Sequence, residues 1–390
     1  MEDEENTLKK QRETNFELLR IIAMLMVVIL HYLNHSDTVL RLDEETSFVR
    51  IAGSAVQCLC IVAVNVWVLI SGYFLSDAEY RLKRILIVIA EVYFYTVGVT
   101  AVMLLTSSAH IAATDSVYKA VQFLLPFESE HYWFATAYLF MVLFSPILNA
   151  GIRMLDRRQM KVTILGLLVW FSLIRSFVPV NLVTDDYGYG FGWFMTLYLI
   201  AAYIRRYDVA VFSTKGRSLL VYLGSVCASF VIRFVIYAIH TGNGGLKYYF
   251  TMPVHYNFVF CLTGALGLFQ FFRYIQIPES VFARVVRFVA PFTFGVYLLH
   301  EHLEVRERWV GWMESLIGNV PRENAVLYLL HLAASVCIVF AAGIFIDWIR
   351  SVIFAFLMRV MHGTRFAAFI RNTDAALRTK REGGKRWYDR

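Results

Sequence analysis

The first arrangement in this sequence that could do chemistry is an arginine followed eleven residues later by a histidine inside an apolar run, Arg20 and His31. On a helix rising 1.5 Å per residue the two lie about 16 Å apart, with Arg20 at one rim of a bilayer and His31 roughly half the hydrocarbon thickness deeper or a little more. An ionisable group in a span costs about 2.5–3.5 kcal/mol at the helix centre on insertion scales, so it asks for a reason. The imidazole titrates near neutrality and can take a proton from a hydroxyl, which suits a general base. A lone histidine in a span is also often simply hydrogen-bonded to a neighbouring helix, and spacing alone does not choose. Arg81 and Arg84, with Lys83 between them, offer a cluster able to grip phosphates, though such clusters commonly just set topology. Glu91 and Arg233 stand within apolar stretches, where they either pair with other polar groups or line a water-filled cavity. Polar and aromatic residues also gather at Glu130, His131, Tyr132 and Trp133, at Asp185 and Asp186, and at His300, Glu301 and His302. Surfaces of this kind can hold a sugar, and Trp and Tyr at an interface also form the ordinary aromatic belt.

The elements that must position these residues are membrane helices. The chain is 58% hydrophobic and 17% charged, against roughly 45–50% apolar and 25% charged in soluble domains. A bilayer core of about 30 Å needs about 20 mostly apolar residues per helix. Apolar runs and their breaks place ten helices near 20–34, 49–71, 85–106, 132–150, 161–178, 191–204, 218–239, 251–272, 288–302 and 325–348. The sixth and ninth are shorter than the usual span, and the charge distribution retains them. With the N-terminus inside, basic residues concentrate in the inner segments: Arg20; Arg81, Lys83 and Arg84; Arg153, Arg157, Arg158 and Lys161; Arg205, Arg206, Lys215 and Arg217; Arg273, Arg284 and Arg287; and the tail. The outer segments are poorer in them, and omitting either short helix scrambles the alternation that the positive-inside rule requires.

The expected architecture is therefore an all-α polytopic transmembrane helix bundle of about ten spans with both termini cytosolic. It divides into a cytosolic segment 1–19, a membrane domain 20–350 and a basic cytosolic tail 351–390 suited to anionic headgroups. The first apolar run lacks a signal-peptide arrangement and reads as a retained helix. The net charge of +7 sits in the inter-span segments and the tail, so topology explains it better than nucleic acid does. All five cysteines fall in apolar runs, where they act as small hydrophobes rather than as zinc ligands or a disulfide framework.

With these residues in place, the chain resembles acyltransferase family 3, bacterial membrane proteins that acylate cell-surface and exported glycans. The strongest part is the first helix, Glu17-Leu-Leu-Arg-Ile-Ile-Ala-Met running to His31-Tyr32, with the family's basic residue, ten intervening positions and histidine. Ser71-Gly-Tyr-Phe followed by Arg81-Leu-Lys-Arg84 is similar to its small-residue helix end and Arg-x-x-Arg pair. Tyr132-Trp-Phe-Ala-Thr-Ala-Tyr138 leading to Ser145-Pro-Ile-Leu-Asn149 resembles its fourth-span signature, and Phe294-Gly-Val-Tyr-Leu-Leu-His300-Glu301 its late Tyr-x-x-His motif. His255-Tyr-Asn-Phe-Val is a looser match to the Tyr-Asn stretch of the glycan acetyltransferase branch.

The resemblance implies an enzyme of the bacterial plasma membrane that takes an acyl group, most often acetyl, from cytosolic acetyl-CoA or another acyl-CoA. It would deliver that group to a hydroxyl of a cell-surface or lipid-linked glycan. It implies no permanently bound cofactor and no metal, with acyl-CoA, a saccharide acceptor and membrane lipids as partners. By the same resemblance His31 is the catalytic histidine, and Arg20, Arg81 and Arg84 meet the CoA phosphates. His300, Glu301 and Trp133 are placed to position the acceptor. His31 either deprotonates the hydroxyl or relays the acyl group through a covalent step, the former being favoured. The rival is a transporter or flippase of a glycan or small solute, with His31, Glu91 and Arg233 along a permeation route. Such folds often carry discontinuous helices paired across two halves, and the sequence shows no such pair.

Overall fold

The computed structural model describes residues 13–106, 108, 124–127, 131–179, 186–207, 209–240 and 244–377. Glu130, Asp185, the outer Lys119 and the two ends of the chain lie outside them. The described residues form sixteen α-helices and no strand, and nine helical segments among them are long and apolar enough to cross a membrane.

The chain begins with α1 (Thr14–His35), then α2 (Phe48–Cys60) and α3 (Ala63–Leu75), which together make the second crossing with a turn between them. α4 (Leu82–Leu105) and α5 (Trp133–Met154) follow. The fifth crossing is α6 (Arg157–Leu168), a π-turn at Val169–Leu173 and α7 (Ile174–Phe177). α8 (Phe191–Arg206) has 16 residues, below the usual span length. Then come α9 (Lys215–Ile239), α10 (Lys247–Thr251) and α11 (Val259–Arg273). The ninth expected crossing is broken into α12 (Val281–Val289), a 3-10 turn carrying Pro291 and α13 (Thr293–His300), as a proline inside a helix removes a backbone bond. α14 (Trp309–Ile317), α15 (Ala325–Met361) and α16 (Arg365–Ala376) complete the chain.

Contacts between helix ends fix the directions. Phe16, at the start of α1, packs on Tyr73 and Phe74 near the end of α3, so these helices are antiparallel. α8 runs parallel to α3: Trp193 donates to Asn65 (2.9 Å) at one end, and Arg205 meets Asp77 (3.4 Å) at the other. Asn149 of α5 donates to the Leu75 carbonyl (3.0 Å), and Asn15 donates to the Phe272 carbonyl at the end of α11 (3.0 Å). Arg287 reaches Thr14 (2.9 Å) while His300 reaches His31 (2.7 Å), which makes the α12–α13 crossing parallel to α1. α15 begins beside the end of α1, with Tyr328 on Thr38 (2.8 Å), and runs back. The directions these contacts fix are those that an alternation over ten passages requires, α8 included. One end of the bundle collects Arg20, Arg205, Arg206 and Arg287, and the other collects His31, His300 and His302.

Without a hydrophobic drive between helices in lipid, close packing needs small residues. A β-carbon on Gly72 would lie 3.0 Å from the Tyr198 α-carbon, and one on Gly267 2.7 Å from the Tyr222 amide nitrogen, so α3 meets α8 and α11 meets α9 backbone to backbone. α15, at 37 residues, is about 55 Å long. It passes through residue 350 and continues to Met361. α16 then folds back on the start of α4, where Asp374 accepts from the Leu82 amide at 2.6 Å. That carboxylate satisfies one of the donors a helix start leaves unpaired.

Candidate active site

His31 stands near the end of α1 with its side chain 24% exposed. α13 closes on it because Pro291 re-aims the broken crossing, and the last residue of α13 is His300, which is fully buried. His300 Nδ1 lies 2.6 Å from the Val296 carbonyl one turn back, an acceptor with nothing to donate, so that nitrogen carries the proton. Its Nε2 is then an acceptor, and the 2.7 Å contact with His31 Nδ1 assigns the shared proton to His31. Glu301 brings Oε1 to 3.1 Å from the same His31 nitrogen. No described residue engages His31 Nε2, which is left with a free lone pair. The arrangement is that of a base held in one tautomer by an acceptor and faced by a carboxylate suited to the positive charge a proton would bring.

Glu301 lies just past the end of the crossing. Burial raises its carboxyl above the ordinary carboxylate range, against the pull of His300, His35 and Arg306. His302 is buried and lowered by that burial to about 4, so at neutral pH it is uncharged. It accepts from the Glu304 amide (3.1 Å) and sets its other nitrogen against the Thr96 carbonyl (3.3 Å), tying the turn after α13 to α4. The nearest ligand atoms of His31, His300 and Glu301 all lie within 4.8 Å of one another, a donor set that can hold a metal ion. The 2.7 Å between the two imidazole nitrogens is a hydrogen-bond length, shorter than the roughly 3.3 Å between neighbouring ligands at about 2.0–2.1 Å from a tetrahedral zinc.

Trp133 does not touch His31. It stacks on Tyr256 (ring centroids 5.7 Å) and meets Tyr189 (4.6 Å), a three-ring surface whose tyrosines are themselves 4.8 Å apart. Phe134 joins it to Tyr297 (5.5 Å), one turn before Glu301, and Tyr132 anchors the start of α5 by donating to the Leu298 carbonyl (2.8 Å). The aromatic surface and the histidines therefore share the α13 wall.

At the opposite end Arg20 is ion-paired with Glu17 (3.0 Å) and lies over the Phe74 ring (5.8 Å). Arg205 lies over Tyr73 (4.6 Å) and pairs with Asp77 (3.4 Å), and Arg206 donates to the Ile152 carbonyl (2.5 Å). Arg84 and Arg153 are near enough to the Tyr198 hydroxyl to act on it electrostatically, and that hydroxyl donates to Asn149 (2.8 Å). These groups form a basic rim around the end of α3. Arg81 is exposed and pairs with Glu79 (3.3 Å), so nothing in the described contacts joins it to Arg20. Arg205 and Asp77 belong to this rim without a sign of it in the sequence, where the Arg205-Arg206 pair reads as a topology signal only.

The two embedded charges whose partners the sequence leaves open are both paired. Arg350 of α15 binds Glu91 (2.9 Å) and grips both oxygens of Asp347 (2.6 and 2.9 Å), and Tyr95 donates to Asp347 (2.9 Å). Arg233 binds Gln57 and lies over the Phe250 ring (4.7 Å). Their partners are hard to see in the sequence because Arg350 falls just beyond an apolar run and Gln57 inside one.

In comparison with known proteins, a family model described as an acyltransferase domain matches residues 13–348. The match takes in α1 through most of α15 and so includes both ends of the bundle. No curated protein and no solved structure gives a match.

Proposed function

Because the chain belongs to acyltransferase family 3, we propose that this multi-pass membrane enzyme moves an acyl group from an acyl-CoA at the basic end to a hydroxyl of a glycan at the histidine end. The observation that carries the reading is the His31–His300 contact at 2.7 Å with Glu301 at 3.1 Å, which leaves His31 Nε2 as a free base. That nitrogen takes the proton of the acceptor hydroxyl as its oxygen attacks the thioester carbonyl. The carbon–sulfur bond breaks, and the imidazolium returns the proton to the CoA thiolate. His300 and Glu301 position the ring and stabilise its positive charge, a role added to the acceptor contact expected from their place at the end of the ninth helix.

Phosphates of CoA fit the rim of Arg20, Arg84 and Arg205, where the guanidinium groups of Arg20 and Arg205 can exchange their carboxylate partners Glu17 and Asp77 for phosphate oxygens. Arg81 would join them from its exposed position. The pantetheine arm would then run along α1, whose Arg20 and His31 are about 16 Å apart. Trp133, Tyr189 and Tyr256 offer stacking faces to a saccharide. Against the transporter reading, Glu91 pairs with Arg350 and Arg233 with Gln57, two separate pairings neither of which includes His31.

The test is transfer of label from acyl-CoA to a membrane glycan fraction in vesicles holding the protein or its His31→Ala variant. Transfer lost by roughly 10²–10⁴-fold, the range of a general base, with insertion intact supports the reading. Transfer at the parental rate, or a glycan or ion flux in place of transfer, overturns it.

A further inference from the structure

Behind His300 lies a cavity of about 510 Å³ between α4, α13, α14 and α15. Among the described residues, no Lys, Arg, Asp or Glu lines it. Two lining residues, Val102 of the crossing helix α4 and Trp312 of the short α14, are 57% and 42% exposed, so the cavity opens at the side of the bundle, along α4. Its inner end is lined by His300 and Trp309, at 0% and 1% exposure. Along α15 its lining runs from Ile338 to Ile346, about 12 Å of helix.

Two features of this groove have no structural explanation. Gly98 sits in the middle of α4, where a glycine costs roughly 0.5–1 kcal/mol relative to alanine, yet a β-carbon there would meet nothing within 4 Å. It lines the groove, and the missing side chain widens it. Trp309 is buried and its indole nitrogen has no hydrogen-bond partner among the described residues. A buried N–H without an acceptor costs about 1–3 kcal/mol, and the Trp309 ring lies 6.4 Å from that of His300.

We propose that this groove holds the hydrocarbon chain of the transferred acyl group, with the acyl carbonyl oxygen accepting from Trp309 Nε1. The enzyme then works on a medium-chain acyl donor rather than on acetyl. The proposal rests on the acyltransferase reading and names the donor within it. The occupant has to be apolar along its length and to carry an acceptor at its inner end, beside the histidines. An acyl thioester has that order. A lipid-linked saccharide brings sugar and phosphate where the groove offers no cation. At about 1.3 Å of advance per carbon, for C–C bonds of about 1.5 Å, the 12 Å groove takes a chain of roughly eight to ten carbons.

The experiment is transfer by the purified protein in vesicles from acetyl-, butyryl-, octanoyl- and decanoyl-CoA, for the parent and for Gly98→Leu and Ala342→Leu. Leucine at either position fills the groove without touching His31, and at Gly98 it favours the helix. The expected result is a parent that prefers octanoyl or decanoyl donors at least tenfold over acetyl, and variants in which that preference falls below unity while acetyl transfer is kept. Trp309→Phe, which keeps the ring and loses the donor, lowers kcat at every chain length with KM little changed. A parent that prefers acetyl, or filled variants with an unchanged chain preference, overturns the proposal and leaves the acyltransferase standing. Filled variants that slow all donors equally and raise KM for a polyprenyl-linked acceptor also overturn it, assigning the groove to the acceptor lipid. No transfer from any donor overturns the acyltransferase reading itself.

Discussion

Two buried clusters of ionisable side chains sit on the α13 side of this bundle, and they differ in what they leave unused. In the first, Arg350 is consumed by Glu91 and both oxygens of Asp347, with Tyr95 donating to the same carboxylate. Asp347 presses against Gly295, where a β-carbon would clash with its side chain. Among the described residues the Arg350 guanidinium and the Tyr95 hydroxyl both have acceptors, so the cluster bolts α4, α13 and α15 together. In the second, a few residues further along α13, His31 spends one nitrogen on His300 and keeps the other. Burial of charge therefore does not by itself mark chemistry. A spare atom held in a defined protonation state does.

Substitutions at Arg350, at His300 and Glu301, and at Arg84 test that contrast, in order of expected effect. Arg350→Gln leaves Glu91 and Asp347 buried without their cation, which costs about 3–5 kcal/mol for a broken buried pair. Thermal unfolding in detergent should show a large fall in Tm, and Glu91→Gln added to it should recover part of the loss. Were Arg350→Gln to keep its Tm and lose only kcat, the bolt would be part of the reaction centre. His300→Gln and Glu301→Gln should lower kcat by roughly 10–100-fold, below the general-base range of His31, with Tm nearly unchanged. For Glu301→Gln the rate loss should persist across the pH range in which the parent is active. A Tm loss equal to that of Arg350→Gln would erase the distinction between the clusters. Arg84→Ala should act least, raising KM for acyl-CoA about tenfold for one charge-assisted contact with kcat kept, and more strongly in low salt. An unchanged KM would remove Arg84 from the donor site.

Part of this arrangement is legible in the order of the residues alone. The Arg20 to His31 spacing places the two residues at opposite ends of one helix because the rise per residue is constant, and the fold keeps them there. The basic segments alternate strongly enough to retain α8 at 16 residues against hydropathy. The ninth crossing is short for a reason the sequence also holds, since Pro291 divides it. By contrast, the tautomer of His31 is not legible there, because it depends on His300, 269 positions away. The fate of Glu91 depends on α15, and the groove is lined jointly by Gly98 and Ala342, which sit on helices far apart in the chain.

The sequence by itself determined that the chain spans a membrane in about ten passages, which follows from apolar length and charge asymmetry summed over local segments. It also determined which residues are too costly to be accidental. Only the tertiary structure decided which of them are spent on holding helices together and which keep an atom free, because that depends on which helix faces which. Inside lipid a polar group must find its partner within the protein, and partners hundreds of residues apart are joined by packing, not by spacing.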